Sequence, residues 1–370
     1  MTRIIDHNKT ASYNFLNSTK VFLIYKKERP FARPPPAPVP KLPRRAMKLK
    51  ASIVIIACIF TVTSFPVLSQ TQTRPASQPT AKSLLERLGY PPDAKLLIVH
   101  ADDLGMAHSI NRASIKGLDS GLVSSASIMI PCPWLPEIAA YARANPKADL
   151  GLHLTLTSEW KLFRWGPILP RKRVPSLLDK SGYLYLTETE AAAHIDPKEA
   201  EAEIRAQIAR ARALGIQPTH LDSHMGTLYQ TQALFETLFR VARDNKLLVR
   251  VSKDWLASAP FLPALLGPDD VVMNTIISIE PGVSAEGWSK FYTDAIKTLQ
   301  PGISEMIVHL AYDDEEMRGL AFEHPDWGSE WRQRDFEFVT SEAFRKVLQD
   351  NNVKLVTWRE VSERMQKAAK

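Results

Sequence analysis

Aspartate and histidine residues interrupt several otherwise apolar stretches of this 370-residue chain. Asp102 and Asp103 follow the run LLIVHA. His153 lies within LGLHLTLT, and His309 lies within EMIVHLAY. A single histidine in such a segment is more often a hydrogen-bonded core residue than a ligand. Because several recur at the ends of such segments, we expect them to share one functional site.

A second group of polar residues lies in the segment THLDSH. Its three members, His220, Asp222 and His224, occupy alternate positions, and alternation places them on one face of an extended segment. Imidazole nitrogens and a carboxylate suit zinc, cobalt, nickel, iron or manganese, and magnesium where water completes the shell. The pattern therefore predicts a divalent metal site.

The adjacent aspartates, Asp102 and Asp103, allow two roles at such a site. One carboxylate can bind the metal while its neighbour accepts a proton from water. The alternative is that one of them only caps the helix predicted near residues 108–118. The pair alone does not decide between these interpretations.

The elements that must position these residues follow from periodicity. Longer stretches with apolar residues near helical spacing, such as 198–215 and 231–246, separate short runs of β-branched and aliphatic residues. The predicted strands are residues 96–102, 124–130, 150–157, 218–224, 247–253, 271–277, 305–312 and 353–358. This alternation predicts an α/β fold, a (β/α)-barrel that is complete or irregular. An open dinucleotide-binding sheet is disfavoured because no glycine-rich loop follows the first strand.

The N-terminal part differs in composition from the rest. Residues 1–46 form a basic, proline-rich leader, and residues 47–69 run from basic to apolar to small residues, as in a secretory signal peptide. We expect translation to start at Met47, residues 70–81 to be a linker, and residues 82–370 to form the barrel domain. The protein would then be exported to the periplasm or extracellular space. The alternative is a membrane anchor through an uncleaved signal.

Charge excludes one class of partner. Of the formal net charge of +7, residues 1–69 hold +10, from 12 Lys and Arg against two acidic residues, so the remainder carries −3. A mildly acidic body argues against nucleic acid as the partner.

Signal cleavage would remove Cys58 and leave Cys132 without a disulfide partner. The cleaved protein would also have no stable membrane span. Homo-oligomerisation stays open.

Three motifs in order, ADDLG (101–105), GLHLTLT (151–157) and PTHLDSH (218–224), resemble the YdjC-like carbohydrate deacetylases, also called the ChbG/HpnK deacetylases. The similarity runs from about Leu96 to the C-terminus. The resemblance implies a barrel of the polysaccharide-deacetylase type. It also implies one divalent metal ion, Mg²⁺ or Zn²⁺ with Co²⁺ or Mn²⁺ as options, and hydrolysis of the N-acetyl group of an amino sugar or oligosaccharide.

The resemblance also implies roles for individual residues. It implies that Asp102 is the general base and that His309 is a general acid. The implied metal ligands are Asp103, His153 and His224. Arg334 and Glu337 resemble the Arg-x-x-Glu near the C-terminal end of the family, where an arginine can orient a carboxylate. Apart from the resemblance, we expect His220 and Asp222 to hold ligands in place and Trp165 to be a candidate for contact with the substrate.

Departures from the family pattern follow His224 and His309, where family histidines and a Pro-Gly pair are replaced by Met225-Gly226 and Leu310-Ala311. The substrate loops are therefore expected to differ. A non-catalytic glycan-binding barrel is one alternative, and another metal-dependent amidohydrolase or phosphodiesterase is a second. A phosphodiesterase is disfavoured because the predicted strand ends carry aspartates and histidines rather than Arg or Lys. The loop tryptophans suit sugar faces or anchor loops to the core; they are Trp134, Trp160, Trp165 and Trp327.

Overall fold

The structure, a computed structural model, describes residues 83–368. The predicted leader (1–46), signal peptide (47–69) and linker (70–81) lie outside the described residues. Each of the eight predicted strands is present, most of them shorter than predicted. The strands are β1 (Lys95–Leu104), β2 (Ser125–Ile128), β3 (Leu150–Leu154), β4 (His220–Ser223), β5 (Leu248–Val249), β6 (Ile276–Ile277), β7 (Gly302–Val308) and β8 (Val353–Leu355).

The helices alternate with these strands, as crossovers between parallel strands require. They are α1 (Leu84–Arg87), α2 (His108–Asp119), α3 (Leu135–Ala144), α4 (Glu188–His194), α5 (Pro197–Ala213), α6 (Gln232–Asn245), α7 (Lys253–Ser258), α8 (Leu262–Leu265), α9 (Trp288–Lys297), α10 (Glu315–Leu320), α11 (Ser329–Val339), α12 (Glu342–Asp350) and α13 (Trp358–Ala368). Short 3₁₀ segments cover Arg171–Arg173, Pro175–Leu177, His224–Tyr229 and Ala285–Gly287.

The sheet is parallel throughout, in the order β5-β4-β3-β2-β1-β7-β6. The two ends of the sheet meet through the segment that follows β5 and the segment that precedes β6. There Met273 N donates to Val251 O and Lys253 N donates to Met273 O, each at 2.9 Å. β8 pairs with the first residues of β1 outside this path. The ring is thus closed by irregular pairing, which confirms the predicted barrel.

Helix α5 shows how the sequence builds the outer layer. Asp196 accepts a hydrogen bond from Lys198 N, and Pro197 at the first position has the φ that a helix start requires. Ile204 and Ile208 recur at helical spacing and are buried against the barrel. Among residues 83–368, no helix has both the length and the apolar character needed to cross a membrane.

Candidate metal and catalytic site

The C-terminal end of β1 brings two adjacent carboxylates to one place. Successive strand residues normally point to opposite faces, but Asp103 has a left-handed backbone with φ of 72°. The pairing with β2 also shifts register between Ala101 and Leu104. As a result both carboxylates approach His153 Nε2, which lies 3.3 Å from Asp103 Oδ1 and 3.7 Å from Asp102 Oδ2. Left-handed backbone at a non-glycine residue is costly and concentrates at functional sites.

Asp103, His153 and His224 converge from the ends of three strands. His153 lies in β3, and His224 directly follows β4 at the start of a 3₁₀ segment. Asp103 Oδ1 is 3.3 Å from His153 Nε2 and 3.3 Å from His224 Nδ1. All three side chains are buried. These residues form one of the groups among the described residues whose geometry could hold a metal ion.

A carboxylate fixes each of these two histidines from behind. Asp222 Oδ1 lies 2.6 Å from His153 Nδ1, and Glu159 Oε2 lies 2.8 Å from His224 Nε2. Each carboxylate can accept a hydrogen bond from the N–H of the remote nitrogen, so that the other nitrogen turns its lone pair toward Asp103. Carboxylate partners of this kind set the tautomer and ring orientation of metal-binding histidines.

Asp103 supplies the test of whether the residues fit a metal. Its Oδ2 accepts a 2.7 Å hydrogen bond from Arg332 Nη2. Its Oδ1 is buried and has no hydrogen-bond partner among the described residues, although two imidazole nitrogens face it. A buried carboxylate oxygen without a partner is costly. One oxygen and two nitrogens that converge in this way fit a divalent cation.

The charges around these ligands favour a bound cation. Burial alone would lower the pKa of His224, but Glu159 and Asp103 outweigh burial and raise the pKa to about 9. Burial would likewise lower the pKa of His153, whereas Asp102 and Asp222 raise it well above its usual value. In the absence of metal the histidines therefore take up protons, which a metal ion would displace.

A second cluster of charged residues lies beside the first, centred on Arg250. Its Nη2 is 3.0 Å from Asp222 Oδ2 and 3.2 Å from Asp102 Oδ1, and its Nε is 2.6 Å from Glu305 Oε2. His100 Nε2 lies 3.1 Å from both Asp102 Oδ1 and Asp222 Oδ2. All five side chains are buried. The cluster therefore joins residues of β1, β4 and β7 to Arg250, which directly follows β5.

The position of Arg250 separates the candidate metal groups. Two other combinations, His100 with His220 and Asp222, and Asp102 with His153 and Asp222, also have ligand atoms within 4.8 Å of one another. Both include Asp222, whose Oδ2 faces the Arg250 guanidinium at 3.0 Å. A fixed cation at that distance opposes a metal ion. Arg332 also contacts Asp103, but it binds only Oδ2 and leaves Oδ1 facing the two imidazole nitrogens. The geometry therefore favours the group of Asp103, His153 and His224.

Asp102 has the environment of an ionised base. Burial would raise its pKa, but nearby His153 and Arg250 outweigh burial and hold the pKa below its usual range. Its Oδ1 contacts Arg250 and His100, whereas Oδ2 points toward His153. Neither Asp102 nor Asp103 caps α2, because Ala107 occupies the N-cap without a side-chain hydrogen bond. Glu316 instead accepts from His108 N and Ser109 N.

His309 directly follows β7, at the same end of the barrel. Its backbone N–H donates to Asp335 Oδ2 at 2.9 Å. Burial lowers the pKa of its imidazole to about 4; Arg332 also lowers it, and Asp103 acts in the opposite direction. The imidazole is therefore neutral at pH 7 in the free protein and must gain a proton before it can act as a general acid.

Other predicted residues lie behind the ligands or away from them. His220 stacks on Trp358 with ring centroids 5.1 Å apart, and burial lowers its pKa. Its ring packs so close to Gly151 that a Cβ there would lie 2.3 Å from Nε2. Trp165 lies 6.1 Å from the His224 ring but is 5% exposed, and its Nε1 donates to Thr157 O. Both residues support the site from the interior.

The structure does not bring Arg334 and Glu337 to the site. Arg334 Nη2 pairs with Glu330 at 2.8 Å on the outer face of α11, and Glu337 accepts from Gln333 Nε2 at 2.9 Å. The arginine that reaches Asp103 is Arg332, two positions earlier. Two positions along a helix correspond to a rotation of about 200°, so the predicted pair lies on the opposite face of the same helix.

Sequence reasoning missed six charged residues of this site, of which five are buried and Glu159 is partly buried. His100, Arg250 and Glu305 lie in predicted strands that are otherwise mostly apolar, and this is a signal that could have found them. Arg332 and Asp335 could be found only by knowing which face of α11 is buried, whereas nothing in the local sequence marks Glu159.

Of the tryptophans, Trp160 is buried against Arg332 and Trp134 is 39% exposed.

The comparisons with known proteins agree with this geometry. A model of the family described as YdjC-like protein matches residues 96–350. A carbohydrate deacetylase from Thermus thermophilus is 34% identical over 289 residues, which cover 76% of this chain and 98% of that protein. A carbohydrate deacetylase from Thermoanaerobacter pseudethanolicus is 25% identical over 264 residues, which cover 71% of this chain and 98% of that protein.

The chain belongs to the YdjC-like family. The matched residues run from β1 to the end of α12 and include the Asp103, His153 and His224 group. A solved structure from Enterococcus faecalis, described as a candidate cellobiose-phosphate cleavage protein, has the same fold, with a TM-score of 0.63 at 24% identity. The alignment covers 72% of this chain and 99% of the solved chain. The resemblance predicted from the motifs is confirmed.

Proposed function

We propose that this protein is a carbohydrate deacetylase that hydrolyses the N-acetyl group of an amino sugar or oligosaccharide with one divalent metal ion. The class of activity rests on the YdjC-like family and on relatives named carbohydrate deacetylases. The observation that carries metal dependence is the buried Asp103 Oδ1, which faces two imidazole nitrogens and has no hydrogen-bond partner among residues 83–368.

Asp103, His153 and His224 would hold the metal. The two nitrogen ligands favour zinc or cobalt over magnesium, which prefers oxygen. When bound, the ion would supply Lewis acidity that polarises the acetyl carbonyl and lowers the pKa of water from 15.7 toward about 7.

The residues of the chain supply the proton transfers. Asp102 is ionised and presents Oδ2 toward His153, so it can accept a proton from the attacking water. Its other oxygen is held by Arg250 and His100, which fixes the direction of the base. His309 would protonate the leaving amine. Negative charge that develops beside its imidazole raises its pKa during the reaction.

Acetate release is the direct test. Purified protein is assayed with Zn²⁺, Co²⁺, Mn²⁺ or Mg²⁺ across a panel of N-acetylated mono- and oligosaccharides, with metal-free protein as the control. We expect release that a chelator abolishes and one of the metals restores. A protein that binds both metal and acetylated sugar but releases no acetate would favour the glycan-binding alternative. Hydrolysis of phosphodiesters or peptides instead would favour the other hydrolase classes.

We also propose that the protein is exported. The support is the order of basic, apolar and small residues over 47–69, ahead of a mildly acidic body. The intact mass of the protein from its native host measures this directly. Cleavage near Ser69 is the expected result. A mass that retains residues 1–46 would contradict both the start at Met47 and the export signal, and a chain retaining 47–69 in the membrane would favour the anchor.

A further inference from the structure

We propose that Asp335 is a positioning residue for His309 and fixes the main chain from which the imidazole projects. The inference rests on the proposed function, in which His309 protonates the leaving amine. Asp335 lies in α11, is fully buried, and does not belong to the group of Asp103, His153 and His224.

The two oxygens of Asp335 have separate partners. Oδ1 accepts hydrogen bonds from Trp288 Nε1 at 2.9 Å and Tyr292 Oη at 2.7 Å, both from α9. Oδ2 accepts the His309 N–H at 2.9 Å. Trp288 and Tyr292 therefore anchor the carboxylate on one side, and the other side is directed at the end of β7.

His309 needs such a partner because the strand has ended. Its register with β1 runs from Gly302 to Val308, so the ladder gives the next N–H no acceptor. A buried N–H without an acceptor is costly, and a hydrogen bond to a carboxylate is stronger than one between neutral groups. The Asp335 bond thus fixes the backbone at His309 and restricts the directions open to its side chain.

The same helix also fixes the metal-binding side of the site. Arg332 lies three positions before Asp335, so both residues share the inner face of α11. Arg332 Nη2 holds Asp103 Oδ2 at 2.7 Å, while Asp335 holds the His309 main chain. One rigid element therefore fixes the position of His309 relative to Asp103.

Burial explains why a neutral substitute should fold. Burial raises the pKa of Asp335 to about 6, although hydrogen bonds from the His309 N–H, Tyr292 and Trp288 oppose this effect. Burial thus disfavours the charge at this position, and D335N removes the charge while it keeps the shape of the side chain. The amide nitrogen of Asn cannot accept a hydrogen bond, so the substitution weakens the acceptor set around the carboxylate.

A double-mutant cycle with D335N and H309Q tests the coupling. We expect D335N to lower kcat about 10- to 100-fold with KM and metal content unchanged, the scale expected for a misplaced catalytic group. In the H309Q background D335N should cost no further activity, because the group that it positions is gone. Glu337→Gln is the matched control, because it makes the same change of carboxylate to amide on the exposed face of the same helix, and it should leave kcat within about twofold. If D335N does not fold, D335E replaces it, with the same non-additivity expected.

The backbone resonance of His309 tests the geometry without any substrate. In protein labelled with ¹⁵N-histidine, H309Q identifies the amide signal of His309, which D335N should shift and Glu337→Gln should leave in place. Strictly additive losses in the cycle, or an unmoved His309 amide in D335N, would overturn the proposal. A shifted amide in a protein without acetate release would contradict the proposed function and leave the positioning contact supported.

Discussion

Two buried clusters of carboxylates and histidines lie side by side at the C-terminal end of the barrel, and they differ in where an arginine enters. In the Asp103 group, Arg332 binds the outer oxygen, Oδ2, and leaves Oδ1 facing two imidazole nitrogens. In the neighbouring cluster, Arg250 lies between the carboxylates of Asp102, Asp222 and Glu305.

The difference shows that ligand types alone do not define a metal site. Both clusters offer carboxylate and imidazole atoms at similar distances, but the second already contains a fixed cation. We therefore assign metal binding to the Asp103 group, and to the Arg250 cluster the task of holding Asp102 ionised and Asp222 in place behind His153. The following predictions test this division.

The largest effect is expected from the ligands. His153→Ala and His224→Ala should each lower metal affinity and activity by orders of magnitude, because a catalytic metal has few protein ligands. The fold should persist, since the barrel core does not depend on the ion. Elemental analysis with circular dichroism measures both properties. Full metal occupancy in both variants would contradict the assignment.

A smaller loss is expected at the base. Asp102→Asn should retain metal but lose about 10²- to 10⁴-fold in kcat, the usual contribution of general acid–base catalysis. The amide keeps the size of the side chain but cannot take the proton of the attacking water. Asp103→Asn is the matched comparison and should lose both metal and rate. Normal acetate release by the Asp102 variant would remove it as the base.

The Arg250 cluster should make the free energy of unfolding depend on pH. Burial would lower the pKa of His100, but Asp102 and Asp222 outweigh it and raise the pKa to about 9. A raised histidine pKa stabilises the fold fully below the unfolded value near 6.5, and this contribution is lost as pH rises through 9. In metal-free protein, the free energy of unfolding of the wild type minus that of His100→Gln should fall by a few kcal/mol across this window. Urea unfolding at a series of pH values measures it, and a constant difference would mean that His100 does not gain a proton on folding.

Glu159 should matter for metal affinity more than for the fold. Glu159→Gln removes the carboxylate behind His224 Nε2, and loss of such a partner commonly costs about 10- to 100-fold in metal affinity. Metal titration by calorimetry measures the change. Glu323→Gln, which loses only a surface contact with Lys161, is the control and should bind metal like the wild type. Equal affinity in both variants would show that Glu159 does not orient His224.

The sequence was sufficient for what depends on periodicity and chain order. It predicted all eight strands, and it placed Asp102, Asp103, His153 and His224 at neighbouring strand ends, because parallel strands bring their C-terminal ends together. It could not show that Asp103 has a left-handed backbone, since nothing in DDLG requires it. It also could not show that Arg250 enters between three carboxylates, because that contact joins residues up to 148 positions apart.

Helix α11 shows the limit most clearly and provides the smallest predicted effect. A motif of one basic and one acidic residue three apart fits both Arg334 with Glu337 and Arg332 with Asp335, and only burial distinguishes the two faces. Arg334→Gln should therefore leave kcat within about twofold and change stability by no more than about 1 kcal/mol, because it loses an exposed ion pair and a contact with the Trp288 ring. Arg332→Gln in the same helix should lower metal content and activity markedly, since Asp103 Oδ2 then loses its charged donor. Kinetics and metal analysis of the two variants in parallel decide which face of α11 supports the site. A larger loss from Arg334→Gln would assign that role to Arg334 and Glu337.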